Sequence, residues 1–309
     1  MTDKIAVMLC GQDSRDTPTV EEFNLLAVEL KRRLSGSDLE SGFLGSAVPR
    51  IKDGLDTLAA RGSKKIICIP GMLFPPERIT KELSAEFDKF SRAHAGMELV
   101  FSRELSMDPR LLAVARDRIE QVEQEAGDHI PREETLLMVV GPGSDDSKAN
   151  SDVAKVTRLL WEGMGFGWAE VSYSESAFPS MEEGLAKAVK MGFKRIVVFP
   201  CFLFSRDAVR RSYAAADDCV AAFPSVEVLK AGHLYDAGRL AESFIDRIEE
   251  LLNGIGNMNC QVCTYREQII GTGHDHDHDH AHGDDHHHHH HHQHHHHHHG
   301  HGDGNAGHD

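Results

Sequence analysis

Twenty of the chain's 23 histidines fall between His274 and His308, interleaved with aspartate and glycine in the pattern His274-Asp-His276-Asp-His278-Asp-His280-Ala-His282. Neutral imidazole is the commonest protein ligand for borderline divalent metals, and so polar a tract cannot bury a core. Residues 274–309 are therefore expected to be a disordered metal-loading tail, with His274, His276, His278, His280 and His282 among its ligands. Just before it, Met258-Asn-Cys260-Gln-Val-Cys263 holds two cysteines at a spacing that suits a metal. A tetrahedral zinc or a 4Fe-4S cluster takes four ligands, so Cys260 and Cys263 form half a site that something else must complete. The other cysteines, Cys10, Cys68, Cys201 and Cys219, sit in apolar runs and read as buried small hydrophobes.

The charge balance points the same way. A formal charge of −16 opposes nucleic acid and anionic membrane surfaces, which attract basic patches, and suits cations. No run of 18 apolar residues exists, and Met1-Thr-Asp-Lys-Ile5 lacks the apolar stretch of a signal peptide, so a soluble, cytoplasmic protein is expected.

The elements that must position this chemistry come in two copies. The chain matches itself at an offset near 130 residues: Gly11 with Gly141, Pro49 with Pro179, Gly54-Leu55 with Gly184-Leu185, and Leu73-Phe74 with Leu203-Phe204. The longest match sets Gly62-Ser-Lys-Lys-Ile-Ile-Cys-Ile-Pro70 against Gly192-Phe-Lys-Arg-Ile-Val-Val-Phe-Pro200. Within the first copy, short apolar runs (Ile5 to Cys10, Phe43-Leu44, Ile66 to Ile69, Glu98 to Phe101) alternate with helical periodicity. Helices are expected over Val20 to Leu34, from Pro49 in a first turn, over Glu77 to Phe90, and over Pro109 to Glu125. Such alternation predicts an α/β fold with right-handed crossovers, each copy a parallel sheet of about four strands flanked by helices. The expected divisions are a first repeat over 1–127, a linker over 128–135, a second repeat over 136–253, a Cys-pair segment over 254–273 and the tail.

Ligands of open parallel sheets bind at the carboxyl ends of the strands, where helix N-termini present free N–H groups. The framing loops are then Gly11 to Asp16, Gly45 to Val48 and Gly71 to Arg78 in the first repeat, and Gly141 to Asp146, Ser174 to Ala177 and Cys201 to Asp207 in the second.

These motifs carry a resemblance. Ser14-Arg15-Asp16, Gly42-Phe-Leu44, Pro49 to Gly54, Pro70-Gly-Met-Leu-Phe74 and Asp108-Pro-Arg-Leu-Leu112 carry it in the first half. Asn150-Ser-Asp-Val-Ala-Lys155, Glu175, Phe178-Pro179 and Gly232-His-Leu234 carry it in the second. In this order, and with this tail, the chain resembles the long form of the CbiX family, the sirohydrochlorin cobaltochelatases. The resemblance implies a class II chelatase: a metal-free tetrapyrrole rests between two similar halves, and Co²⁺, as substrate metal, is inserted without ATP in cobalamin synthesis. It also implies that the Cys pair is associated with an iron–sulfur cluster, completed across a homodimer. A zinc site shared with tail histidines and a redox dithiol are the competing readings, and thiolates could relay cobalt from tail to cleft.

The family places one histidine in a Gly-His-Gly-Ser loop after the first strand and one in a Gly-His pair after the third. Here those positions hold Gln12 and Arg78, and in the second copy Pro142 and Ala208. The family's Phe-Leu-Glu glutamate is Gly45 in the first copy and Glu175 in the second. Candidate catalytic positions are thus Gln12 and Arg78 with the adjacent carboxylates Glu77 and Asp207. Oxygen ligands drawn from Asp13, Glu77, Asp145, Glu175 and Asp207 would take over from histidine. Candidate substrate contacts are Ser14, Arg15, Ser144, Glu175 and Arg206, the arginines, Arg78 included, pairing with tetrapyrrole carboxylates. His233 is expected to lie too far round the sheet, and His94 and His129 at the surface. The alternative is a non-catalytic relative that binds a tetrapyrrole or stores and delivers divalent metal ions.

Overall fold

The computed structural model describes residues 5–127 and 129–254. The first repeat runs β1 (Ala6–Gly11), α1 (Thr17–Arg33), β2 (Asp38–Phe43), α2 (Ile51–Ala60), β3 (Lys65–Pro70), α3 (Glu77–Ala93), β4 (Glu98–Phe101) and α4 (Pro109–Ala126). A 3-10 turn at Arg132–Glu134 leads into β5 (Thr135–Gly141), α5 (Ser147–Met164), β6 (Trp168–Tyr173), α6 (Met181–Lys190), β7 (Arg195–Pro200), α7 (Asp207–Ala222), β8 (Glu227–Lys230) and α8 (Ala237–Leu252). Each repeat forms an all-parallel sheet, ordered β2-β1-β3-β4 and β6-β5-β7-β8. Among the described residues no helix is long and apolar enough to cross a membrane.

The local sequence explains these elements. β1 and β5 are apolar without alternation because helices cover both their faces, and every residue of each is buried. α1 turns Phe23, Leu26, Ala27 and Leu30 inward on one stripe and places Lys31, Arg32 and Arg33 in its last turn, where cations suit the helix dipole. It begins three residues earlier than the apolar periodicity suggests, because Pro18 fits a first turn. Pro49 does not begin a helix: α2 starts at Ile51, and the Pro49 carbonyl instead accepts the Phe43 N–H at 2.8 Å, keeping that stretch extended beside β2.

The two sheets share one core. Val7, Leu9, Ile67 and Ile69 of the first sheet and Val139, Val197 and Phe199 of the second belong to a single apolar cluster, joined by side chains of α1, α4, α5 and α8. The opposite faces pack separately, with α2 and α3 on the first sheet and α6 and α7 on the second.

Polar groups lock this shared layer. Asp108 caps α4 through the Arg110 N–H at 2.9 Å, and its carboxylate also accepts Ser243 Oγ at 3.0 Å and Arg247 Nη2 at 3.0 Å, both from α8. Asp108 and Arg247 side chains are each 3% exposed. Arg247 Nη1 continues to Glu250 Oε1 at 2.6 Å, and Arg103 reaches Glu250 at 2.9 and 3.1 Å. Arg247 Nε has no hydrogen-bond partner among the described residues, which is part of the cost of burying the guanidinium.

Removing one member of a buried pair strands the other charge, so Arg247→Met is expected to destabilise the protein by about 3–5 kcal/mol. The urea midpoint, compared with that of Asp108→Asn/Arg247→Met, checks this: the double variant should recover part of the loss. Burial pushes the Glu250 carboxyl up, but the Arg103 hydrogen bond and the charges of Arg247 and Arg103 outweigh it and hold the group below its usual range. A carboxyl depressed on folding contributes stability above its unfolded pKa and loses it as pH falls through the folded value. Urea midpoints should therefore drop on acidification below about pH 4.3, and less steeply in Glu250→Gln.

Candidate active-site cleft

At the carboxyl ends of the two sheets the loops of both repeats meet around one cleft. It consists of two adjoining hollows of about 680 and 760 Å³, counting the open solvent at their mouths, which share Gln12, Phe74, Pro142 and Arg206. The first has an apolar floor that includes Phe23, Phe43, Phe74 and Phe204; Phe23 lies 4.6 Å from Phe43 and 5.9 Å, edge-on, from Phe204 across the repeats. Gly11 permits this packing, since a Cβ there would stand 2.8 Å from the Phe43 ring. Polar groups line the second hollow: Arg78, Ser144, Asp145, Asn150, Glu175 and Arg206.

The repeats are stapled across the cleft by their first loops. Asp146 caps α5 through the Lys148 N–H at 2.8 Å, and its other oxygen accepts the Glu77 N–H that opens α3, at 2.7 Å. Those two N–H groups hold its carboxyl below the usual range. The equivalent Asp16 accepts Arg210 Nη2 of α7 at 2.8 Å, beside Thr19, whose hydroxyl also donates to the Ser205 carbonyl. Glu22 of α1 accepts the Ser205 N–H at 2.5 Å, and His233 Nε2 lies 3.3 Å from the same carboxylate.

Several of the candidate residues converge here. Gln12, Ser14, Arg78, Pro142, Ser144, Asp145, Glu175 and Arg206 all line the cleft. The serines also shape their own loops: Ser14 Oγ accepts the Asp16 N–H at 3.2 Å and Ser144 Oγ the Asp146 N–H at 3.1 Å. Arg78 pairs with Glu82 at 2.5 Å on an exposed helix face, and Glu175 stands 4.0 Å from Arg211.

Others are elsewhere. Ala208, at a family histidine position, is 2% exposed and packs in the outer core of the second repeat. Glu77 pairs with Lys81 at 2.7 Å and Asp207 with Arg210, both carboxylates pointing to solvent; neither lines the cleft, and neither does exposed Arg15. Asp13 is committed to its own loop: its carboxylate accepts the Ala47 N–H at 2.8 Å, the Ser46 N–H at 3.2 Å and the Ser46 hydroxyl at 3.1 Å. Burial raises that carboxyl, and these N–H groups more than reverse the effect, holding it below its usual range. Gly45 has φ +91°, and a Cβ there would meet Asp13 Oδ2 at 2.9 Å, so Asp13 fills the space that a side chain at Gly45 would need. Among the described residues no three His, Cys, Asp or Glu side chains gather as a metal site, so the proposed set of oxygen ligands is not assembled.

His233 lines neither hollow: its Nε2 lies 3.3 Å from Glu22, with Tyr235 stacked at 6.5 Å. His94 closes α3 against Phe90 at 4.1 Å, and His129 lies 3.7 Å from Glu227, both away from the cleft. Sequence reasoning missed Glu22, Asn150 and the Asp146 staple. Only Asn150 left a signal, as the first residue of a motif at the start of α5. Cys260, Cys263 and the tail histidines lie outside the described residues.

The family model described as CbiX matches this chain twice, over residues 6–122 and 136–251. A sirohydrochlorin cobaltochelatase of Priestia megaterium is 32% identical over 264 residues, 84% of this chain and 84% of that protein. A sirohydrochlorin ferrochelatase of the same organism is 24% identical over 65% of this chain and 73% of its own length. Among solved structures, SirB from Bacillus subtilis with Fe³⁺ superposes with a TM-score of 0.71 at 18% identity, covering 83% of this chain and 100% of SirB. The doubled parallel-sheet unit, the facing first loops and two matches that each span a repeat lead to one assignment: the chain belongs to the CbiX family.

Proposed function

We propose that this protein inserts Co²⁺ into sirohydrochlorin, or a related metal-free tetrapyrrole, without ATP. The observation that carries the proposal is the cleft between the repeats, with an aromatic floor and two guanidinium groups at a polar wall, in a chain 32% identical over 84% of its length to a sirohydrochlorin cobaltochelatase. A flat macrocycle matches the apolar floor. Its carboxylates match Arg78 and Arg206, which offer two-pronged hydrogen bonding. Gln12, Ser14 and Ser144 supply neutral hydrogen-bonding groups at the same surface.

Metal entry displaces two pyrrole protons, so the cleft must offer an acceptor. Arg78 cannot serve, since a guanidinium stays protonated in proteins, and neither Gln12 nor Pro142 has a basic side chain. Glu175 and Asp145 are the carboxylates of the lining, and we assign them the proton-accepting and ion-steering work. The histidine tail, with Cys260 and Cys263, would raise the local supply of cobalt. The loss of histidine at Gln12, Arg78, Pro142 and Ala208 favours a second reading, a relative that binds tetrapyrrole or stores metal without catalysis.

Mixing the full chain with sirohydrochlorin and Co²⁺ and following the visible spectrum separates the two. Acceleration over the uncatalysed rate is expected; metal binding by calorimetry with no acceleration would establish the storage reading. Under the chelatase reading, Arg206→Ala should raise KM for the tetrapyrrole about tenfold with little change in kcat, the pattern of lost ground-state binding. Glu175→Gln should lower kcat instead, while Glu77→Ala and Asp207→Ala should leave both constants unchanged.

A further inference from the structure

The duplication supplies an internal reference for a second pocket, on the outer face of the first repeat between α3 and β4. Its volume is about 910 Å³, counted with its open mouth, and Pro75 is the one lining residue it shares with the cleft hollows. Backbone pairing fixes the equivalence of the repeats here: the Ser102 N–H donates to Cys68 O at 3.0 Å, as the Ala231 N–H donates to Val198 O at 2.9 Å. In the second repeat the corresponding space is filled. The Tyr213 ring occupies it and its hydroxyl donates to the Ala231 carbonyl at 2.8 Å. Beside it, Lys230 pairs with Asp217 at 2.6 Å.

The ring and the lysine are both exchanged in the first repeat. α3 and α7 close alike, the His94 N–H donating to Phe90 O and the Phe223 N–H to Cys219 O, so Ser84 stands at the Tyr213 position, which removes a phenol ring, and Ser102 presents the carbonyl equivalent to that of Ala231. Lys230 becomes Phe101, whose ring lies 4.7 Å from that of Phe87, while Asp217 keeps its carboxylate as Asp88. The floor is Cys10 and Cys68. Burial raises the Cys10 thiol far above its ordinary value, helped by Cys68, and pushes Cys68 up to about 12. Both are therefore protonated small hydrophobes, unlike the thiolates that attack electrophiles or bind metals. Asp88 and Glu104 at the rim oppose anionic ligands.

We propose that this pocket binds a small uncharged aromatic molecule bearing a hydroxyl or ring N–H donor, seated as the Tyr213 side chain is seated in the second repeat. The walls supply aromatic contacts, and the Ser102 carbonyl accepts the donor.

The probe is p-cresol, the side chain of tyrosine itself, added to the full chain and followed by saturation-transfer NMR and calorimetry. Binding is expected, with toluene about tenfold weaker because it leaves the acceptor unpaired. Ser84→Tyr should abolish p-cresol binding and raise the thermal midpoint by about 2–4 °C by filling the space. Should that variant fail to fold, Phe101→Lys, which sets a lysine beside Asp88 as Lys230 stands beside Asp217, should also abolish binding. No p-cresol binding to the unsubstituted protein, toluene binding as tightly as p-cresol, or undiminished binding in a folded variant would each overturn the proposal.

Discussion

The pairing of Arg247 with Asp108 is the interaction on which the rest of the architecture depends. Two parallel sheets that bury a common apolar layer could slide past one another, because hydrophobic contact is not directional. A buried carboxylate that must satisfy an α4 cap, a serine hydroxyl and a guanidinium together admits one arrangement. Once α4 and α8 are locked, the carboxyl ends of both sheets are brought to the same side and their first loops can meet. The cleft is thus a product of the interface before it is a product of any residue lining it.

That cleft differs chemically from one built around histidine. Its walls hold arginine, amide and hydroxyl groups with two carboxylates, above an aromatic floor. Such a surface is well matched to gripping a polyanionic planar molecule and poorly matched to holding a cation tightly. Tight metal capture has no need to occur there if a histidine-rich tail supplies the ion. Under the proposed function, binding of the macrocycle and handling of the metal fall to different stretches of sequence.

Much of this was legible in the chain. The 130-residue self-match gave the duplication, and the alternation of apolar runs with helical stripes placed β1, β3, α3 and α4 to within a few residues. The rule that ligands sit at strand carboxyl ends located the cleft loops. What could not be read was how those loops spend their polar groups. Asp13 is satisfied by backbone 33 and 34 residues away, and Asp146 caps a helix 69 residues earlier in the chain. Neither contact leaves a trace in periodicity or composition, so Asp13 reads as a free ligand in the sequence and the Asp146 staple does not show there at all. Pro49 failed as a helix start for a similar reason, its carbonyl being claimed by the neighbouring strand.

The fit of Asp13 into the space beside Gly45 carries a consequence for how this site could have changed. The family's loop has glycine where Asp13 stands and glutamate where Gly45 stands. A glutamate restored at 45 alone would collide with the Asp13 carboxylate and would force a side chain into a left-handed backbone. A glycine restored at 13 alone would leave the Ser46 and Ala47 amides without their acceptor. The two positions are therefore epistatic: neither tolerates the exchange without the other. One carboxylate and one missing side chain hold each other in place.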